Sequence, residues 1–80
     1  MLALFERVVL TRDLPEEGLR AGDVGVIVEH YLSTAGVPEG YEFEVFAASG
    51  KTLAVVSVPA TFVRRATEHD ILTVREVAER

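Results

Sequence analysis

The chain contains no cysteine and no tryptophan, and only one of its eight basic residues is a lysine. Without cysteine, neither a disulfide bond nor a thiolate zinc site contributes to its stability. Its 80 residues are few for a domain and leave room for a single hydrophobic core. We therefore expect one domain, spanning residues 1–80.

Positive charge is also scarce. Acidic residues outnumber basic residues by 13 to 8, and the formal net charge is −5 at pH 7. Nucleic-acid binding depends on clustered lysine and arginine, whereas the arginines here are scattered along the chain. No apolar run approaches the ~20 residues that span a bilayer, and the first residues lack the pattern of a secretory signal. We expect a cytoplasmic protein that binds neither a membrane nor, by preference, nucleic acid.

Catalytic motifs are missing as well. Each of the two histidines, His30 and His69, is next to a carboxylate in the sequence, and adjacent side chains on an extended chain point to opposite faces. No serine has a positioned base or lies in a Gly-x-Ser-x-Gly elbow. Glu42 and Glu44 share one strand face, but a barrel this small lacks the deep cleft that a glycosidase needs. We expect no enzyme activity, no catalytic residue, no cofactor and no bound metal.

The chain does contain a series of short segments that are rich in β-branched residues. A first strand is predicted within residues 5–11 and a second over residues 24–32, which alternate strictly between two faces. The segment between them, rich in Pro and Gly, is expected to be a shaped loop in which Gly18 and Gly22 permit positive φ. Gly25 lies inside the second strand and predicts a bend or a close approach of another backbone.

A hairpin is predicted from residues 41–48 and 51–58 around Ser49-Gly50. A two-residue loop pairs Phe46 with Leu53 and Glu44 with Val55. A three-residue loop with a bulge shifts each pairing by one residue. We favour the two-residue loop because it gives one continuous apolar face.

Pro59 interrupts the strand, and a single helical turn followed by a closing strand over residues 62–65 completes the pattern. This order of elements predicts an all-β fold. The predicted fold is a small SH3-like barrel of five to six short antiparallel strands, with one helical turn near residues 59–62. The tail, at about 67–80, is expected to be an extra strand over residues 70–76 or to fray. The alternative for residues 74–80 is a last helical turn.

The predicted pairing leaves several apolar side chains on the face away from the core. They are Ile27, Tyr31, Phe46, Leu53 and Val55. An exposed apolar patch of this kind is typical of a surface that another protein covers. With the acidic excess, it predicts a non-enzymatic protein-interaction module whose partner is basic. The alternatives are a self-associating homodimer and, ranked last, an RNA-associated SH3-like barrel.

Four runs carry a family resemblance: VVLTRDLPEEGLRAGDVG over residues 8–25, GYEFEVF over 40–46, GKTLAVV over 50–56 and ILTVR over 71–75. They resemble the domain-of-unknown-function 4926 family of small bacterial proteins. The resemblance implies an SH3-like barrel without catalytic residues. It also implies a role as partner of a neighbouring gene product, antitoxin-like or immunity-like. The chain departs from the family at Ala47-Ala48-Ser49, where relatives often carry Asn or Asp.

Overall fold

A computed structural model of the chain describes residues 2–77. Within them, five antiparallel strands form one sheet in the order β4-β3-β2-β1-β5. The strands are β1 Arg7–Leu10, β2 Val24–Tyr31, β3 Gly40–Phe46, β4 Thr52–Pro59 and β5 Val63–Arg65. Two 3-10 turns, Pro15–Glu17 and Ala60–Phe62, are the helical elements of this part of the chain. The predicted all-β class, the five antiparallel strands and the turn near residues 59–62 are confirmed. The sheet is open, with β4 and β5 as its two edges.

The loop between β1 and β2 is held to the sheet by two leucines. The backbone groups of Leu14 and Leu19 hydrogen-bond to each other across the turn Pro15–Glu17. Leu19 is buried in the core, and Leu14 packs against it. Gly18 ends the turn with φ of 72°, a left-handed conformation that a glycine adopts without steric cost. The prediction of a shaped loop is therefore confirmed.

Gly25 marks the closest approach between β2 and β3. A Cβ atom at this position would meet the backbone oxygen of Glu44 and lie 2.7 Å from the Phe43 ring. Phe43 is completely buried and is among the largest side chains of the core. The missing side chain of Gly25 therefore makes room for the ring, as the close approach inferred from the sequence requires.

A β-bulge interrupts the alternation of β2. Its register against β3 shifts between Ile27 and Glu29, so Val28 is an extra residue in the strand. Ile27 faces the core and is completely buried, whereas Tyr31 lies on the opposite face. After the bulge, His30 turns inward and stacks on Tyr41, with 5.0 Å between ring centroids. The strict alternation predicted for this strand is wrong, and so is the exposed position predicted for Ile27.

The β3–β4 hairpin has a three-residue loop, but most of its strand pairing is the one predicted for a two-residue loop. The Ala47 N–H donates to the Lys51 carbonyl, which leaves a three-residue loop that ends at Gly50 with φ of 95°. A second irregularity follows, because Phe46 pairs with Thr52 whereas Val45 pairs with Ala54. This bulge restores the register of the two-residue loop. The predicted pairing of Phe46 with Leu53 is therefore wrong, and the remaining predicted pairs, from Val45–Ala54 to Tyr41–Val58, are confirmed.

Residues 70–77 form no strand, so the extra strand predicted over residues 70–76 is wrong. After β5 the chain turns at Thr67 and Asp70, where the Asp70 N–H donates to the Thr67 carbonyl. The Arg64 guanidinium then makes two hydrogen bonds to the Asp70 carboxylate, of 2.9 and 2.8 Å. These contacts fix the start of the tail beside β5, where the tail forms no backbone ladder with the strand. The helical turn considered for residues 74–80 extends beyond the described residues.

The close approach at Gly25 gives a first test. Gly25→Ala is expected to lower the free energy of unfolding by about 1–3 kcal/mol, because a methyl group collides with the Phe43 ring and a β3 carbonyl. Gly36→Ala is the reference for backbone strain without a collision: no atom lies within 4 Å of the added Cβ, so its cost of about 1 kcal/mol comes from φ of 76° alone. Urea unfolding compares the two, and a Gly25→Ala variant as stable as the native chain would refute the packing account.

Candidate functional site

The sheet has one core, and that core lies on a single face. Ten buried side chains make it up: Val8, Leu10, Leu19, Ile27, Tyr41, Phe43, Val45, Val56, Val58 and Val63. Because strand residues alternate between faces, the intervening side chains lie on the opposite side, which we call the outer face. How this outer face is covered decides what the molecule presents to other molecules.

One apolar side chain of the outer face is buried between the neighbouring strands β2 and β5. Val9 alternates with the core residues of β1, yet it is only 5% exposed. Its neighbours across the sheet are Val24 and Arg64, and Arg64 holds Asp70 at the start of the tail. Val9 is therefore shielded beside the arginine that fixes the start of the tail, whereas Ile71, Leu72 and Val74 of the tail are themselves 85%, 62% and 91% exposed.

A second contact fixes the tail farther along. The Arg75 guanidinium pairs with the Asp23 carboxylate and donates to the Gly18 carbonyl at 3.4 Å. Both charged side chains of this pair are largely shielded from solvent. A cavity of about 480 Å³ lies between the tail and the outer face. The residues lining it include Val24, Val26, Phe46 and Leu53 of the sheet with Leu72, Val74 and Val77 of the tail.

The β3–β4 part of the outer face is partly exposed, although Phe46 and Leu53 also line the cavity shared with the tail. Tyr31, Phe46, Leu53 and Val55 are 45%, 41%, 46% and 51% exposed. These four residues, together with Glu29, Glu42 and Glu44 among them, are called the open face below. Of the five side chains predicted to form a partner surface, the structure exposes these four and places Ile27 in the core.

Hydroxyl groups hold two of the three carboxylates of the open face in place. The Glu42 carboxylate accepts hydrogen bonds from the Ser57 hydroxyl at 2.6 Å and from the Tyr31 hydroxyl at 3.1 Å. Glu44 accepts one from the Thr52 hydroxyl at 2.6 Å. The bond to Glu42 raises the pKa of Tyr31, because it favours the protonated phenol. These carboxylates are thus oriented without being neutralised.

No ion pair within residues 2–77 involves the carboxylates of the open face. Arginines close to other carboxylates are already engaged: Arg64 with Asp70, Arg65 with Glu6 and Arg75 with Asp23. Sequence reasoning placed the acidic residues beside the apolar patch, but it missed the contact between Arg75 and Asp23. The two residues are 52 positions apart, and no local pattern connects them.

The two histidines lie apart from the open face. His30 Nε2 is 2.6 Å from a carboxylate oxygen of Glu39, and His69 is exposed beside Glu68. Among residues 2–77, no three histidine or acidic side chains are grouped as metal ligands. The same part of the chain contains no helix with the length and hydropathy of a membrane span.

A family model described as "Domain of unknown function (DUF4926)" matches residues 4–64. The match includes β1 to β4 and nearly all of β5, and it ends where the tail begins. No curated protein and no solved structure matches the chain significantly.

The turn at the start of the tail predicts a pH dependence. Hydrogen bonds from Arg64 and from the Thr67 N–H hold the pKa of Asp70 well below its usual range. A carboxylate with a depressed pKa stabilises the folded state above the unfolded value of about 4, and this stabilisation is lost as the pH falls. Stability is therefore expected to fall between about pH 4 and pH 2, and to fall less in Asp70→Asn.

Urea unfolding at several acidic pH values measures the effect, with Glu68→Gln as the control because that exposed carboxylate does not contact Arg64. If Asp70→Asn shows the same pH dependence as the native chain, the hydrogen bonds to Asp70 do not stabilise the fold.

Proposed function

The chain belongs to the DUF4926 family, whose description assigns no function, and from its surface chemistry we propose that it is a non-enzymatic module that binds a basic protein through the open face. The observation that carries the proposal is the exposure of four apolar side chains around carboxylates that form no ion pair with any residue from 2 to 77. Apolar groups gain free energy when a partner covers them, and the carboxylates select the sign of the partner's charge.

The composition of the open face fits a protein partner. Aromatic side chains dominate the energetic centres of protein interfaces, and Tyr31 and Phe46 are both partly exposed. The surrounding hydroxyl and carboxylate groups supply the polar contacts of an interface rim. Held by Ser57 and Thr52, Glu42 and Glu44 lose little rotamer freedom on binding.

The charge of the whole chain supports the same partner. With 13 acidic and 8 basic residues, the molecule attracts positively charged proteins at long range and speeds their encounter. A second copy carries the same negative charge, so its approach is slowed instead. A basic partner therefore accounts for both the net charge and the local carboxylates.

Phe46→Glu tests the proposal. Phe46 is 41% exposed and lies outside the core cluster, so the variant is expected to fold while losing the partner. The measurement is affinity capture from lysate of the source cells with the immobilised native chain and each variant. Val37→Glu is the matched control, because Val37 is 57% exposed in the β2–β3 loop and receives the same change of charge.

We expect the native chain and Val37→Glu to retain the same basic protein, and Phe46→Glu to retain at least about tenfold less of it. Circular dichroism and thermal unfolding verify that each variant is folded. Equal retention by Phe46→Glu would refute the open face as the binding surface. A native chain that sediments at twice its monomer mass, with Phe46→Glu as monomer, would assign the face to a second copy.

A further inference from the structure

The two edges of the sheet differ in how well they are protected. β5 has three residues, and its Arg64 and Arg65 are engaged in ion pairs. β4 has eight residues, Thr52–Pro59, with no charged side chain, and among the described strands it pairs only with β3. Natural proteins shield exposed edges with charge, brevity or a cover. A long and uncharged edge is instead the form that accepts an added strand.

The ladder with β3 shows which backbone groups of β4 are free. The Ala60 N–H donates to the Glu39 carbonyl at 2.9 Å, which makes these two residues a hydrogen-bonded pair. In an antiparallel ladder such pairs alternate along the strand. Val55 and Ser57 therefore direct their N–H and C=O groups away from β3, toward the free edge. Pro59 also directs its backbone away from β3, so the N–H that proline lacks is not needed for pairing with β3.

Going from this edge toward the middle of the sheet, the apolar groups of the open face come first and its acidic groups come next. Leu53 and Val55 come first, on β4 itself, and Glu42 and Glu44 lie one strand farther away, on β3. Neighbouring strands are ~4.8 Å apart, so an added strand would lie about 10 Å from β3. Arginine and lysine side chains have apolar stems and charged ends. Such stems would cover Leu53 and Val55, and their charged ends would approach the two glutamates.

We propose that β4 receives an extended segment of the partner, which adds a sixth strand to the sheet and carries arginine or lysine at alternate positions. The inference rests on the proposed function and specifies how the partner binds. A second copy of this chain is a poorer occupant, because its own β4 has no basic residue and would leave Glu42 and Glu44 unpaired. A basic strand engages the free backbone, the apolar strip and the carboxylates together.

The test is a comparison of Ser57→Pro with Ser57→Ala in the full chain. Both variants lose the hydroxyl that donates to Glu42, but only proline also removes the N–H that faces the free edge. The probe is a synthetic peptide of alternating arginine and valine, eight residues long like β4, and a glutamate–valine peptide of equal length is the comparison. Isothermal titration calorimetry measures both affinities.

We expect Ser57→Ala to bind the arginine–valine peptide within about threefold of the native affinity, and Ser57→Pro to bind at least about tenfold more weakly. The glutamate–valine peptide is expected not to bind. Thermal unfolding verifies that Ser57→Pro is folded. If it is not, Val55→Pro against Val55→Ala replaces the pair, since Val55 also faces the free edge.

Equal affinities of the proline and alanine variants would overturn strand addition. If Phe46→Glu still abolished capture of the natural partner in that case, the proposed function would stand with a different docking mode. Failure of the native chain to bind the arginine–valine peptide would also overturn the inference. A native dimer that becomes a monomer in Ser57→Pro would assign the edge to a second copy and reject the basic segment.

Discussion

Alternation along β-strands is the constraint on which the rest of this molecule depends. Each strand sends its side chains to two faces, but a chain of 80 residues builds only one core. The inner face is occupied by a continuous cluster around Phe43. The outer face lies outside this cluster. Val9 is buried there between its neighbours, and two ion pairs, Arg64–Asp70 and Arg75–Asp23, fix the tail.

The open face combines features that would be costly in a surface without a partner. Phe46, Leu53 and Val55 expose apolar area to water, which opposes solubility. Glu42 and Glu44 lie beside them and keep the surface acidic, which limits association between copies. Their hydroxyl donors hold them in place. The proposal of a partner of opposite charge rests on this combination.

Much of this arrangement is visible in the sequence, and the exceptions have physical causes. The strands, the hairpin and the helical turn follow from β-branched residues and from Gly50 and Pro59, whose conformational preferences are local. The bulge at Val28 cannot be seen in the sequence, because valine fits a bulge and a regular strand alike. This one inserted residue moves Ile27 and Tyr31 to opposite faces of the sheet. The strand predicted for the tail does not form, because β propensity reflects packing and Arg75 instead pairs with Asp23, a residue remote in sequence.

Site-specific photo-crosslinking in the source cells tests the central claim most directly. A photoreactive amino acid is placed in the full chain at Val55, on the open face, or at Val37, which is similarly exposed in the β2–β3 loop. The account predicts that irradiation joins the Val55 variant to a basic protein and leaves the Val37 variant without that product. Equal products from both positions, or a Val55 product that contains only a second copy of the chain, would contradict it.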